Sequence, residues 1–216
     1  MAAAAVLDVD GTLVDTAYHH ALCWSRAFRE HGVAVPLWRL HRHVGMGGDK
    51  YVAAVAGEEA ERELGDAVRG RWEELFDALL DEVVAFEGAR ELVADLKERG
   101  LRVVLASSAV ETHLDRFLDV LDVRDLADSW TGKDDVERSK PDPDLVESAL
   151  RQAGTRDAVM VGDTPWDIEA GRRAGIDTIC VRTGGFCEGE LRNAGAVAVL
   201  DSVAELRTRL GETALA

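Results

Sequence analysis

The stretch VLDVDGTLVDT, Val6 to Thr16, places Asp8 and Asp10 two residues apart where an apolar run ends. Alternation along an extended chain turns two such side chains to the same side. One aspartate can attack phosphorus and carry the group as an acyl phosphate. A carboxylate beside it can protonate the leaving oxygen and then activate water. Further candidates lie at the ends of later apolar runs. Ser107 closes LRVVLAS with Ser108 next to it, and Gly162 and Asp163 close DAVMVGD. Asp167 follows four residues on, and Lys140 stands in SKPDPD, with Pro141 just inside an expected helix start. Grouped carboxylates suit a hard cation such as Mg²⁺, which keeps several waters and bridges to phosphate. Carboxylates, serine hydroxyls and one lysine gathered in this way describe a metal-assisted phosphoryl site. Taken singly, each has a plain structural reading: an Asp-Gly turn, helix caps, a surface lysine. It is their joint placement at successive strand ends that points to chemistry.

That placement requires strands. AAAAVL (Ala2 to Leu7), LRVVLAS, DAVMVGD, DTICV (Asp177 to Val181) and the weaker AVAVL (Ala196 to Leu200) are short apolar runs without alternation. Such runs suit strands covered on both faces. ARELVADLKERG, PDLVESALRQAG and DIEAGRRAG between them carry helical periodicity and end in glycine. Alternating strands and helices predict an α/β fold, a Rossmann-like, doubly wound parallel sheet with ligands at the strands' carboxyl ends. From Thr16 to about Phe86 the pattern is helical throughout, with no convincing strand. The expected organisation is a core of residues 1–15 and 88–216 with an inserted helical domain, residues 16–87.

The charge balance narrows the partners. Asp and Glu number 41 against 25 Lys and Arg, a formal charge of -16. A surface so acidic repels nucleic acid and anionic membrane. It also repels anionic substrates, so a phosphate site here must be locally positive; Mg²⁺ and Lys140 would make it so. Cys23, Cys180 and Cys187 show no zinc-type spacing and are expected as reduced thiols of a cytoplasmic protein. The MAAAAV start has no basic signal-peptide region, and no run reaches membrane-spanning length. Monomer and homodimer both remain open.

DVDGTLVDT, LASSA, SKPDP and VGDTPWD, in that order, resemble the four motifs of the haloacid dehalogenase superfamily. The likeness spans nearly the whole chain. It is strongest to the branch of phosphoglycolate phosphatases and β-phosphoglucomutases, whose helical cap lies between the first two motifs. The resemblance implies that Asp8 is the nucleophile and a Mg²⁺ ligand. It implies that Asp10 is the general acid/base, its backbone carbonyl also on the metal. Ser107 would bond the phosphoryl oxygens, with Ser108 on the substrate side, and Lys140 would hold Asp8 and the phosphoryl group. Asp163 would complete the protein's metal ligands, supported by Asp167 directly or at one remove. Dehalogenases of the superfamily lack an aspartate at the position of Asp10 and transport ATPases carry threonine there, so phosphate-ester chemistry is implied. Val9 and Glu87 depart from the usual motif residues, Phe or Leu and Pro.

The inserted helices should choose the substrate, a small phosphorylated metabolite. In HRHVGMGGDKYV, Gly45, Gly47 and Gly48 correspond to a specificity loop of related proteins, ahead of a helix expected near Asp49. The plain reading is a helix connection with glycine breakers. GMGGDK lacks the ending of a nucleotide P-loop. His20 and Trp24 sit where β-phosphoglucomutase has His and Trp. Gly48 stands where that enzyme carries an arginine for a second phosphate, a role left to Lys50, Arg69 or Arg71. A phosphatase is thus the leading reading, a hexose-phosphate mutase the alternative, and a non-catalytic metal- or phosphate-binding module a third.

Overall fold

A computed structural model describes residues 2–216. Strand β1 (Ala4–Asp8) leads into helices α1 (Ala17–Glu30), α2 (Leu37–His41), α3 (Gly48–Ala56) and α4 (Glu58–Asp77). The chain then alternates through α5 (Ala89–Glu98), β2 (Arg102–Ala106), α6 (Glu111–Leu121) and β3 (Ser129–Thr131). It continues with α7 (Asp144–Ala153), β4 (Ala158–Gly162), α8 (Pro165–Ala174) and β5 (Asp177–Val181). Helix α9 (Glu188–Ala194), β6 (Ala198–Leu200) and α10 (Val203–Thr208) complete it.

The strands form one parallel sheet in the order β3-β2-β1-β4-β5-β6. Its faces follow from the two-residue period of an extended chain. Ala5 and Leu7 of β1 pack with Leu92, Leu96, Phe117 and Leu206 of α5, α6 and α10. Ala4 and Val6 point the other way, against Leu145, Ala149 and Ala170 of α7 and α8. The sheet is therefore wound on both sides, and its direction of winding reverses at β1. A reversal leaves a crevice at the carboxyl ends of the strands. In register, Asp8 pairs with Ala106 and Leu7 with Val161. The residues that follow each strand, Ser107 and Asp163 among them, thus emerge at one edge beside Asp8.

Three details depart from the sequence expectations. Strand β3 was not foreseen: it has only three residues, Ser129, Trp130 and Thr131, and lies at the sheet's edge. Helix α7 starts at Asp144, so Lys140 and Pro141 precede it rather than open it. The cause is local, because a residue before proline is pushed out of the helical region, and both Lys140 and Asp142 precede one. Helix α3 starts one residue earlier than expected, at Gly48.

Between β1 and β2 the chain runs through the helices α1 to α4 before α5. Trp24, Phe28, Leu40, Tyr51, Val55 and Val68 make an apolar cluster of their own. The two strands of chain that join it to the sheet run side by side: Asp15 N–H donates to Val84 (2.9 Å) and Phe86 N–H to Leu13 (2.9 Å). Among the described residues no helix is long and apolar enough to cross a membrane. Phe117 is fully buried between α6 and the sheet. Phe117→Ala should cost about 3–5 kcal/mol, seen as a lower urea midpoint at unchanged slope. A loss well under about 1 kcal/mol would contradict this packing.

Candidate active site

Asp8, Asp163 and Asp167 are almost wholly buried at the carboxyl edge, and one carboxylate oxygen from each lies within 4.8 Å of the others. Lys140, itself buried, pairs with Asp8 Oδ1 and lies 2.8 Å from Asp167 Oδ1. Thr12 Oγ1 sits between two of the acids, 2.9 Å from Asp8 Oδ2 and 2.7 Å from Asp163 Oδ1. Small residues make this crowding possible. A Cβ on Gly11 would stand 2.5 Å from Asp163 Oδ2, and Gly11 has φ +76°. A Cβ on Gly184 would overlap the same oxygen at 1.9 Å.

Asp167 also builds its own helix. Its Oδ2 accepts from Asp163 N–H (3.3 Å), Thr164 N–H (3.0 Å) and Thr164 Oγ1 (2.7 Å), while Thr164 Oγ1 caps Asp167 N–H. Pro165 fills the first helical position. This capping box locks Asp167 against Asp163. Its Oδ1 faces the Lys140 ammonium at 2.8 Å.

The electrostatics are those of an under-neutralised site. Three carboxylates facing one ammonium leave two negative charges unbalanced. Burial pushes the Asp8 carboxyl up to about 7 against the pull of Lys140, and Asp167 adds to the push. Burial and then the charges of Asp167 and Asp8 hold Asp163 well above its ordinary value. Burial works against the charge on Lys140, but Asp167 and Asp8 outweigh it and raise its pKa. Hard, anionic, all-oxygen donors that outnumber their one ammonium fit a divalent cation of the Mg²⁺ type.

Asp10 has a different environment. Its carboxylate stands outside the trio. Oδ1 lies 3.1 Å from His20 Nε2, and Oδ2 accepts from Ser107 Oγ at 2.8 Å. Burial works upward on Asp10, but the hydrogen bond and charge of His20 and the hydrogen bond of Ser107 hold its carboxyl below its ordinary value. Two neighbouring acids thus sit in different environments, and the raised one, Asp8, is the one that a bound cation would return to its ionised form.

A cavity of about 80 Å³ opens onto both. Asp8, Asp10, Lys140, His20, Ser108, Gly45, Gly47 and Gly48 all line it. Ser107 does not; its hydroxyl is spent on Asp10 and on Ala109 N–H (3.0 Å). The glycine loop presses against the sheet side. Gly47 N–H donates to Lys140 O (3.3 Å), and a Cβ there would overlap Ser139 Oγ at 1.8 Å. A Cβ on Gly45, which has φ +91°, would stand 2.7 Å from Thr164. Lys50, Arg69 and Arg71 do not line the cavity. Lys50 bonds Asp142 and Ser139 O, Arg69 holds Glu61 and Asp66 and donates to Gly48 O (3.4 Å), and Arg71 holds Glu30 and Glu74.

Sequence reasoning missed Thr12, Thr164, Trp72 and His113. The two threonines sit inside the quoted motifs and were legible there as hydroxyls beside acids. Trp72 looked like an ordinary apolar position of α4. His113 bonds Asp77 at 2.6 Å across 36 residues of chain, a pairing with no local signal.

Comparison with known proteins identifies the family. The model of haloacid dehalogenase-like hydrolases matches residues 5–181. The chain belongs to this family. It is 31% identical over 180 residues to a phosphoglycolate phosphatase of Aquifex aeolicus, covering 80% of this chain and 81% of that one. It is 30% identical over 210 residues to an N-acetylmuramic acid 6-phosphate phosphatase of Pseudomonas putida, covering 94% of each. Among solved structures, a hydrolase from Pseudomonas syringae superposes with a TM-score of 0.91 at 28% identity, over 97% of this chain and 98% of that one. The chain is therefore an enzyme of the hydrolase family, as the motifs implied.

The acid cluster generates a prediction about metal and pH. Between the ordinary value of 3.8 and about 7, folded Asp8 keeps a proton that the unfolded chain has lost. The metal-free fold therefore loses stability from Asp8 as pH rises through that window. A cation binds the ionised form and replaces that proton. Mg²⁺ should thus raise Tm little at pH 5.5 and by several degrees at pH 8, measured by scanning calorimetry. A shift equal at both pH values, or absent, would contradict a cation at these residues.

Proposed function

We propose that the enzyme hydrolyses phosphate monoesters of small metabolites in two steps, through a phosphorylated Asp8, with Mg²⁺ at Asp8, Asp163 and Asp167. The carrying observation is that Asp8 and Asp10 line one cavity with different partners. Asp8 is held by Lys140 and Thr12, while Asp10 is hydrogen-bonded to His20 and Ser107. The two relatives named as phosphatases support the same reading.

The residues divide the work. Lys140 and Thr12 orient the Asp8 carboxylate, and Lys140 favours its ionised form against burial. Asp10 carries the proton, giving it to the departing alcohol and then taking one from the attacking water. His20, within hydrogen-bond distance of Asp10, holds that proton in place. Ser107 fixes the Asp10 carboxylate, and Ser108, whose hydroxyl is buried without a partner, offers a hydrogen bond to the bound ester. A bound divalent cation would neutralise the acids and the transferring group's charge. The Asp10 backbone carbonyl is proposed as its remaining protein ligand.

Residues 16–87 are proposed as a cap that moves on the paired linkers at Leu13–Asp15 and Val84–Phe86. Beside the apolar packing of Cys23 and Phe76 against the sheet domain, its contacts there include polar ones: Asp49 with Ser139, Lys50 with Asp142, Arg42 with Glu190, and His41 with Gly184 O (2.9 Å). Polar contacts exchange readily for water, as opening requires, and closure would exclude water from the reacting phosphorus.

Asp8→Asn should abolish phosphate release from p-nitrophenyl phosphate while leaving the circular dichroism spectrum unchanged. Retained turnover would remove Asp8 as nucleophile. Asp10→Asn should slow alkyl phosphates by about 10²–10⁴-fold and p-nitrophenyl phosphate much less, because a good leaving group needs no proton. Equal losses on the two esters, measured as kcat/KM, would argue against Asp10 as the acid.

A further inference from the structure

The cavity walls beyond Asp8, Asp10 and Lys140 are mainly apolar: Trp24, Val44, Met46, Tyr51, Trp72 and Ala109. Among the described residues that line it, Lys140 is the one lysine or arginine, and it is already engaged by Asp8 and Asp167. The two histidines that line it face carboxylates, His20 that of Asp10 and His113 that of Asp77. The start of α3 is the other positive feature nearby, and Asp49 occupies its first turn. Lys50 and Arg69 of the helical segment, the latter beside Gly48, are paired with acids and do not line the cavity. A second negative charge on a substrate would enter this space without a partner.

Hydrogen-bonding capacity of a neutral kind is present. Trp72 Nε1 and Ser108 Oγ belong to cavity-lining residues, and both atoms are buried with no hydrogen-bond partner. An indole N–H can only donate. Trp72 is also rigidly held, stacked on Trp24 at 4.9 Å and 11°. Trp24 is braced in turn by Tyr51 at 4.3 Å and 13°. A fixed donor in an apolar wall fits a hydroxyl or carbonyl oxygen of an uncharged molecule.

We propose that the cavity selects monophosphate esters of small, uncharged alcohols, that Trp72 Nε1–H donates to an oxygen of the alcohol part, and that esters bearing a second anionic group are rejected. This rests on the phosphatase reading and adds the substrate class to it. The physical ground is asymmetry. A hydroxyl satisfies an otherwise idle donor, whereas a carboxylate or second phosphate loses its water and gains no countercharge. The same asymmetry stands against the hexose-phosphate mutase alternative, whose substrate cycle passes through a bisphosphate.

The test is a matched pair: 2-hydroxyethyl phosphate and 2-phosphoglycolate, which differ in a hydroxymethyl against a carboxylate. With Mg²⁺, kcat/KM should favour 2-hydroxyethyl phosphate by about tenfold or more. Trp72→Phe keeps the ring and removes the donor. It should raise KM for 2-hydroxyethyl phosphate about 3–10-fold at nearly unchanged kcat, with little effect on ethyl phosphate, which has no oxygen to accept. Gly48 lines the cavity, and a Cβ there would meet nothing nearer than 3.9 Å. Gly48→Lys should therefore narrow the gap between the pair by supplying a cation. Equal or reversed preference would overturn the inference, as would hydrolysis of p-nitrophenyl phosphate without hydrolysis of 2-hydroxyethyl phosphate; both leave the phosphatase reading standing. Turnover of none of these esters would remove that reading and the inference with it.

Discussion

Asp8, Asp163 and Asp167 hold three carboxylates within a few ångströms, nearly out of reach of water, with a single ammonium between two of them. Burying charge is costly unless it is paired and hydrogen-bonded. Much of the surrounding architecture answers that requirement. Thr12 bridges two of the acids, the Thr164 capping box satisfies the third, and Gly11 and Gly184 leave room where any side chain would collide. The reversal of the sheet at β1 brings the strand ends together, so that residues 155 positions apart share one spot without a local sequence link. What the protein's own groups leave unmet is negative charge, and the proposed cation and phosphoryl chemistry follow from that deficit.

The helical segment adds a second constraint. Its interior is an aromatic and aliphatic cluster, and it meets the sheet domain through polar pairs on one side and through Cys23 and Phe76 in the shared core on the other. The glycine loop is the point of nearest approach. Gly47 and Gly45 fit against Ser139 and Thr164 because neither has a side chain. Loop, Lys140 and α8 therefore assemble together, tying the shape of the substrate space to the positions of the reacting groups. The outer surface is strongly acidic, yet the cavity wall is largely uncharged, and this contrast separates attraction of the phosphate group from tolerance of what it is attached to.

Much of this was legible in the sequence. Strands covered on both faces leave unbroken apolar runs, so β1, β2, β4 and β5 could be read directly, and the polar residues after them marked the working edge. Strand β3 could not be read, because three residues, one a serine, carry no period. The start of α7 was misplaced because Pro141 reads as a first-turn proline until Pro143 is weighed beside it. Asp8, Asp10, Asp163, Asp167 and Lys140 were nameable from their motifs, and the structure brings all five to one place. Trp72 and the His113–Asp77 contact were not, since each depends on how α4 lies across the mouth of the sheet. That is a tertiary fact with no local trace. The turn of Ser107 toward Asp10, leaving Ser108 on the cavity, is likewise set by side-chain geometry and not by the order LASSA.

The central claim is that the phosphoryl group passes through the carboxylate of Asp8. Its most direct test is rapid acid quenching during turnover of a ³²P-labelled monoester, followed by peptide mapping. The account predicts label on the peptide that contains Asp8, stable to acid and released by hydroxylamine as an acyl phosphate is. Steady turnover with no protein-bound label, or with label on a peptide lacking Asp8, would contradict it.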